Sequence, residues 1–254
     1  MKKKFKGTHG EYIEMQKSYI DKTVGRDGKP CIDKVTFAKM RAPGDYLTFK
    51  SRFWRYRKCI NSERKAVMLG ARLGTEVLAM RDLGHQNCIG MDLQTKYAND
   101  KTLVEYGDFM NLKYEDNSIQ FIYSNCIDHL YDPKAFIDGL ERVMEKDGYA
   151  ILDVNDEHIS RQGFAGWDMY QPENLSELLN LLQNENRQIV FLERNSQPFP
   201  GGGINVLLKF GKINPEQDRG IIQTIKSHDQ EKNLFETANN QRLKLKFNVN
   251  LLDK

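Results

Sequence analysis

Four short segments, each following an apolar run, carry the residue types needed to hold a nucleoside and act on a second molecule. The first is Gly70-Ala71-Arg72-Leu73-Gly74, after Ala66–Leu69. Glycines at such a place let the chain turn sharply and let a ligand approach the backbone. A helix starting there would present free N–H groups. The second is Asp92, which closes the run Asn87–Met91. A carboxylate in that position can accept both hydrogen bonds of a ribose diol; its plainer role is a helix cap or loop acid. The third is Gly107-Asp108-Phe109-Met110, after Val104–Tyr106. Asp108 suits an adenine amine and Phe109 the ring face, or the pair is a turn acid followed by core residues. The fourth is Tyr123-Ser124-Asn125-Cys126-Ile127-Asp128-His129-Leu130, where Ser124, Asn125, Asp128 and His129 interrupt apolar positions. His129 fits a general base or a group that orients an acceptor, and equally a structural hydrogen-bonding side chain.

These segments need a scaffold that brings strand ends together. The order of elements supplies one. Short apolar runs at Ala66–Leu69, Asn87–Met91, Val104–Tyr106, Ile119–Tyr123 and Tyr149–Val154 read as strands. Between them, Thr75–Leu83 reads as a helix closed by Gly84, and a second helix starts at Asp132-Pro133, with Asp132 as N-cap and Pro133 first in the helix. Its apolar stripe is Phe136, Leu140, Val143 and Met144, and Asp147-Gly148 is expected to end it. Alternating apolar strands and helices predict an α/β fold: a Rossmann-like doubly wound sheet, mainly parallel and covered on both faces. Leu175–Leu182 adds a helix. Gln188–Leu192 and Asn205–Phe210 add two strands whose short link, Pro198–Gly203, makes the last strand antiparallel. Ligands of such sheets sit beyond the carboxyl ends of the strands, where strand order reverses.

The bulk properties narrow the class. With 254 residues, 39% apolar and 29% charged, most of the chain should fold around one core, divided into an N-terminal extension 1–60 (a lid or acceptor surface), a domain 61–211 and a polar tail 212–254. The tail should be partly helical, with a strand-like alternation at Leu243–Phe247. No apolar run approaches the roughly 18–20 residues of a membrane span. The basic start Met1–Lys4 lacks the apolar body of a secretory signal. Cys31, Cys59, Cys88 and Cys126 are scattered with no Cys-x-x-Cys pair, which speaks against a metal knuckle and for a reducing, cytoplasmic setting. A net charge of +3 does not by itself imply nucleic acid.

Taken together, Val67–Asn155 resembles a class I S-adenosylmethionine-dependent methyltransferase of the type 11-like group, whose acceptors are small molecules, lipids and glycans. Gly70–Gly74 matches the cofactor turn, Gly90-Met91-Asp92 the ribose-binding strand end, and Gly107-Asp108-Phe109 the adenine contact. Tyr123–Leu130 resembles the family's SN-x-x-EH strand end, and Glu141–Gly148 its RVLKPGG helix exit. The resemblance implies S-adenosylmethionine as cofactor, held by Gly70, Ala71, Gly74, Asp92, Asp108, Phe109, Ser124 and Asn125. Asp128 and His129 would border the reacting centre, and the methyl would pass to a small-molecule, glycan or lipid acceptor, most naturally at oxygen. Much of the rate in such a transfer comes from positioning. Two departures stand out: the family's acid two residues before the first glycine is Met68 here, and the turn carries Arg72 and Leu73, with Glu76 the nearest compensating acid.

Those departures motivate a second reading, a catalytically inactive scaffold that keeps the fold. A nucleotide-dependent oxidoreductase fits less well. Arg72 stands where Gly-x-Gly-x-x-Gly needs its second glycine, which would restrict backbone access to a pyrophosphate. Nucleic-acid methylation would rest on Lys50–Lys58, where cations alternate with Phe53, Trp54 and Tyr56. The favoured expectation for that stretch is an amphipathic element whose rings pack while its cations stay wet. Asn155–His158 are expected to help shape the acceptor site, and Trp167, Met169 and Tyr170 to wall it or to pack the link to the next helix. Cys126 is expected to line the cofactor pocket.

Overall fold

The computed structural model describes residues 7–20, 23–24, 32–98, 100–155, 170, 175–195 and 203–227. Its elements in chain order are α1 (His9–Ile20), β1 (Thr23–Val24), β2 (Ile32–Asp33), α2 (Lys34–Arg55), β3 (Ala66–Leu69), α3 (Thr75–Asp82), β4 (Cys88–Asp92), β5 (Val104–Tyr106), β6 (Ile119–Ser124), α4 (Pro133–Val143), β7 (Met144–Asn155), α5 (Leu175–Leu182), β8 (Arg187–Asn195), β9 (Gly203–Phe210) and α6 (Pro215–Ser227). Seven strands form one sheet in the order β5-β4-β3-β6-β7-β9-β8. β3 pairs in parallel with β4 on one side and β6 on the other. β9 alone runs antiparallel, against both β7 and β8. Strand order reverses at β3, so the switch point lies at the carboxyl ends of β3 and β6.

Period-two alternation divides the side chains between two cores. Val67, Leu69 and Ile122 face one side, where they meet Phe136 and Leu140 of α4 and Leu178 and Leu182 of α5. Met68, Phe121 and Tyr123 face the other, where Phe49, Phe53, Tyr56, Val77, Met80 and Ile221 cover them. Strands buried on both faces must be apolar nearly throughout, which is why β3 reads as an unbroken hydrophobic run.

The segment before β3 is more ordered than its composition suggests. α2 lays Phe49 and Phe53 on the sheet, with Phe53 edge-on to Tyr123 at 5.2 Å between ring centroids. Phe53 and Tyr56 are buried and cannot stack on bases. The cations of this stretch do not all stay wet: Lys50 and Arg52 are buried too. Lys50 Nζ donates to Tyr46 Oη at 3.3 Å. Arg52 pairs with Asp153 of β7, whose carboxylate also accepts from Tyr123 Oη at 2.6 Å and from the Asn205 side-chain amide. An acid in the middle of an otherwise apolar strand was the signal for a buried cation, since an unpaired buried charge is costly.

α4 starts as expected, with the Asp132 carboxylate accepting from Ala135 N at 3.1 Å and Pro133 opening the helix. It ends earlier than the sequence predicts, at Val143 rather than at Asp147-Gly148. Met144 turns extended and pairs with Ile119, so it belongs to β7 and not to the helical stripe. A register shift follows before Phe121 meets Tyr149, and Asp147 within it takes a positive φ of 68°. Backbone pairing to β6 outweighs continuation of the helix. Beyond β9, α6 confirms helix in the tail and buries Ile221 and Ile225. The alternation at Leu243–Phe247 lies outside the described residues. Among those residues, no helix is long and apolar enough to cross a membrane.

Candidate functional site

The glycine turn after β3 is tied down from β4. Gly70 and Gly74 both take left-handed backbone, at φ 77° and 76°. Gly70 N and Ala71 N donate to Met91 O at 2.8 and 3.2 Å. A side chain at Gly70 would collide with Cys126 Sγ and stand 3.3 Å from Cys126 Cβ, and one at Gly74 would reach 2.8 Å from Leu103 Cβ. The two glycines therefore serve the turn's shape and its packing against the neighbouring strand ends.

Asp92, at the end of β4, completes the lock. Its Oδ2 accepts from Arg72 N at 3.0 Å and its Oδ1 from Gln94 N at 2.8 Å. Burial raises its pKa, against the opposing pull of the Arg72 guanidinium and the two backbone donors. Each carboxylate oxygen has two acceptor sites, so two remain after these bonds are made. Asp108 sits after β5, with Oδ1 accepting from Met110 N at 2.9 Å. Phe109 is buried edge-on against Phe136, with ring centroids 5.9 Å apart, and belongs to the core on the α4 side.

The polar run after β6 forms the third wall. Ser124 is buried, and its Oγ accepts from Cys126 N at 3.2 Å. Cys126 Sγ donates to Asn125 Oδ1 at 3.3 Å. Burial drives the Cys126 thiol well above its ordinary range, so it lines the turn as a neutral group. Asp128 and His129 lie on a single 3₁₀ turn, with His129 Nε2 4.0 Å from Asp128 Oδ1 and both side chains about one-fifth exposed. Tyr170 is buried and its N–H reaches Asp128 O at 3.1 Å, so the chain beyond β7 returns to this turn. Trp167, Met169 and the side chains of 155–158 lie outside the described residues.

Within the extension 1–60, expected as a lid or acceptor surface, the sequence reading named no helix at His9–Ile20. α1 crosses the carboxyl ends of β4, β5 and β6. His9 Nε2 is 2.8 Å from Asp108 Oδ2, and Tyr12 Oη donates to His129 O at 2.8 Å. Tyr131 Oη donates to Gly7 O at 3.0 Å, and the Gln94 side-chain amide donates to Lys17 O. The rings of Tyr12 and Tyr131 stand 5.3 Å apart and His9 stacks on both. The signal was in the sequence as a capping box: Glu11 N donates to Thr8 Oγ1 at 3.3 Å and Thr8 N to Glu11 Oε2 at 2.6 Å. Replacing Tyr12 with Phe removes the bond to His129 O, worth about 1 kcal/mol. The amides of α1 should then exchange with deuterium about fivefold faster while those of β3 and β6 are unchanged. Unchanged exchange in α1 would show that the bond does not hold the helix down.

Glu76, in the first turn of α3, is buried and its pKa is pushed up to about 8. Burial is the main cause. Its own backbone N–H and Arg72 act against it, while Asp45 and Asp92 add to it. The unfolded acid titrates near 4.5, so folding favours the protonated form. This group's contribution to stability is therefore fullest below pH 4.5 and is lost as pH rises to about 8. Glu76→Gln keeps the shape without the charge. Its thermal stability relative to the parent should rise steadily across that window. A difference independent of pH would mean that the carboxylate is not buried without compensation.

Residues 67–152 match the family described as Methyltransferase domain. Among solved structures, the chain is similar to one from the complex between the Haloferax volcanii Trm112 methyltransferase activator and a methyltransferase, at 17% identity and a TM-score of 0.56, over 70% of this chain and 96% of that one. It is similar to a SAM-dependent methyltransferase from Aquifex aeolicus at 16% identity and a TM-score of 0.53, over 70% and 99% of the two chains. A third, from Methanosarcina mazei, has 13% identity and a TM-score of 0.50, over 62% and 97%. No curated protein sequence matches the chain. The strand order, the turn after β3 and these likenesses define the class: the chain has the fold of class I S-adenosylmethionine-dependent methyltransferases.

Proposed function

We propose that the chain binds S-adenosylmethionine across the carboxyl ends of β3 to β6 and transfers its methyl group to a small-molecule, glycan or lipid acceptor, at oxygen. The observation that carries this reading is Asp92. Its part-buried carboxylate braces the glycine turn through Arg72 N and keeps acceptor capacity for a ribose diol. Bound there, the cofactor supplies a sulfonium-activated methyl. Gly70, Ala71 and Gly74 shape the turn beneath it, Asp108 borders the base while Phe109 stays in the core behind it, and Ser124 and Asn125 close the wall from β6. Asp128 and His129 border the acceptor, where His129 accepts the proton from a hydroxyl that is a poor nucleophile until ionised. α1 keeps water out.

The test is acceptor-dependent release of S-adenosylhomocysteine from S-adenosylmethionine, measured with panels of hydroxylated small molecules, glycans and lipids. Release with one class supports the reading, and His129→Ala should then reduce turnover about a hundredfold at unchanged cofactor affinity. Cofactor binding with no release on any panel favours the scaffold reading.

A further inference from the structure

We infer that His9 stands in for the cofactor's base in the free chain, as an autoinhibitory contact. Its imidazole covers the Asp108 carboxylate and lies against Tyr12 and Tyr131, and it must leave before a nucleobase can take those partners. The inference rests on the cofactor reading above, in which Asp108 borders the base. His9 Nε2 is 2.8 Å from Asp108 Oδ2. That oxygen is closed off from solvent, and among the described residues it accepts no hydrogen bond. The other oxygen, Oδ1, accepts from Met110 N at 2.9 Å. The amine of a purine therefore cannot reach Asp108 Oδ2 while His9 is in place.

The imidazole has the features of the group it would replace. It is flat and carries an N–H at its edge. Its plane lies 17° from that of Tyr12 and 21° from that of Tyr131, with ring centroids 5.9 and 5.6 Å apart. A purine brings the same pair of features on a larger face, a ring that stacks on aromatics and an amine for a carboxylate. Burial first, and then Asp108, Cys126, Asp128 and Asp92, raise the pKa of the Tyr12 hydroxyl, which puts this residue among the strand ends that would surround the nucleoside. The contact is easily displaced. The His9 side chain is 43% exposed, and an ion pair so open to water holds weakly. A donor that meets Asp108 Oδ2 squarely gains the hydrogen bond that His9 does not supply. α1 does not need the contact to stay docked, since Tyr12 Oη donates to His129 O, Tyr131 Oη to Gly7 O and the Gln94 amide to Lys17 O. It can release Asp108 and still cover the site. The plain alternative is that His9 only fastens the start of α1. Its removal would then leave ligand affinity unchanged or lower it, whereas removal of a stand-in raises the binding-competent fraction and with it the affinity.

The experiment is titration calorimetry of the full chain with S-adenosylhomocysteine, for the wild type, His9→Ala and His9→Phe. His9→Ala removes the competitor and should bind about fivefold more tightly, the gain expected when an exposed ion pair that opposes binding is lost. His9→Phe keeps a ring against the tyrosines but offers Asp108 no N–H, and should fall between the two. Unchanged protection of the β3 and β6 amides from hydrogen exchange reports that the variants are folded. Equal or weaker binding by His9→Ala would overturn the stand-in and make His9 a fastening of α1, with the cofactor reading left in place. Binding by none of the three proteins would overturn the cofactor reading, and this inference with it.

Discussion

Asp92→Ala should weaken binding of S-adenosylmethionine and S-adenosylhomocysteine about a hundredfold, or roughly 2.7 kcal/mol. The carboxylate serves the turn as well as the ligand. It accepts from Arg72 N at 3.0 Å and Gln94 N at 2.8 Å, so alanine leaves two backbone donors without their partner and frees the turn that must stay shaped for the nucleoside. Asp92→Asn keeps one acceptor oxygen and should fall between the two. Calorimetric titration of the three proteins gives the order directly. Equal affinities would remove Asp92 from the ribose assignment and leave it as a brace of the loop.

Asp153→Ala should lower the free energy of unfolding by about 3–5 kcal/mol, the range for removing one partner of a buried ion pair. Arg52 and Asp153 join α2 to the carboxyl end of β7, with side-chain exposures of 6% and 0%. Tyr123 Oη and the Asn205 amide complete the shell around the carboxylate. Alanine removes the acid that faces the buried guanidinium. Arg52→Met combined with Asp153→Leu removes both charges and should recover part of the loss, because an apolar pair can replace a buried ion pair while Tyr123 Oη and the Asn205 amide still lose their acceptor. Denaturant unfolding of the single and double variants is the measurement. A loss below about 1 kcal/mol in Asp153→Ala would mean that Arg52 finds water or another partner when its acid is removed.

How far the sequence could be read follows from which interactions are local. β3 and β5 fall where the apolar runs lie, and the start of α4 where Asp132 and Pro133 place it. Burial on both faces and capping chemistry are written in a few adjacent residues. The end of α4 was less legible, because Met144 continues the helical period but is claimed by Ile119 across the sheet. α2 was hidden for a related reason. Lys50 and Arg52 read as solvent-facing cations, and the distant Asp153 and the nearby Tyr46 are among the partners that hold them in the interior.

The site divides in the same way. Asp92, Asp108 and the polar run Ser124–His129 are visible because each ends an apolar strand, and a parallel sheet brings strand ends to one side. Phe109 also ends a strand, yet faces Phe136 in the core, a choice that only the packing makes. His9 and Tyr12 reach Asp108 and the His129 carbonyl across most of the described site, and no local pattern announces such a contact beyond the capping box that starts α1.

The most direct test of the account is titration calorimetry of the wild-type full chain with S-adenosylmethionine and, separately, with S-adenosylhomocysteine. Saturable one-to-one binding in the micromolar range is the expected result and places a working nucleoside pocket on this fold. No binding of either by a sample shown to be folded would contradict the account, and would mean that the turn bearing Arg72 keeps the shape of the cofactor site without its ligand.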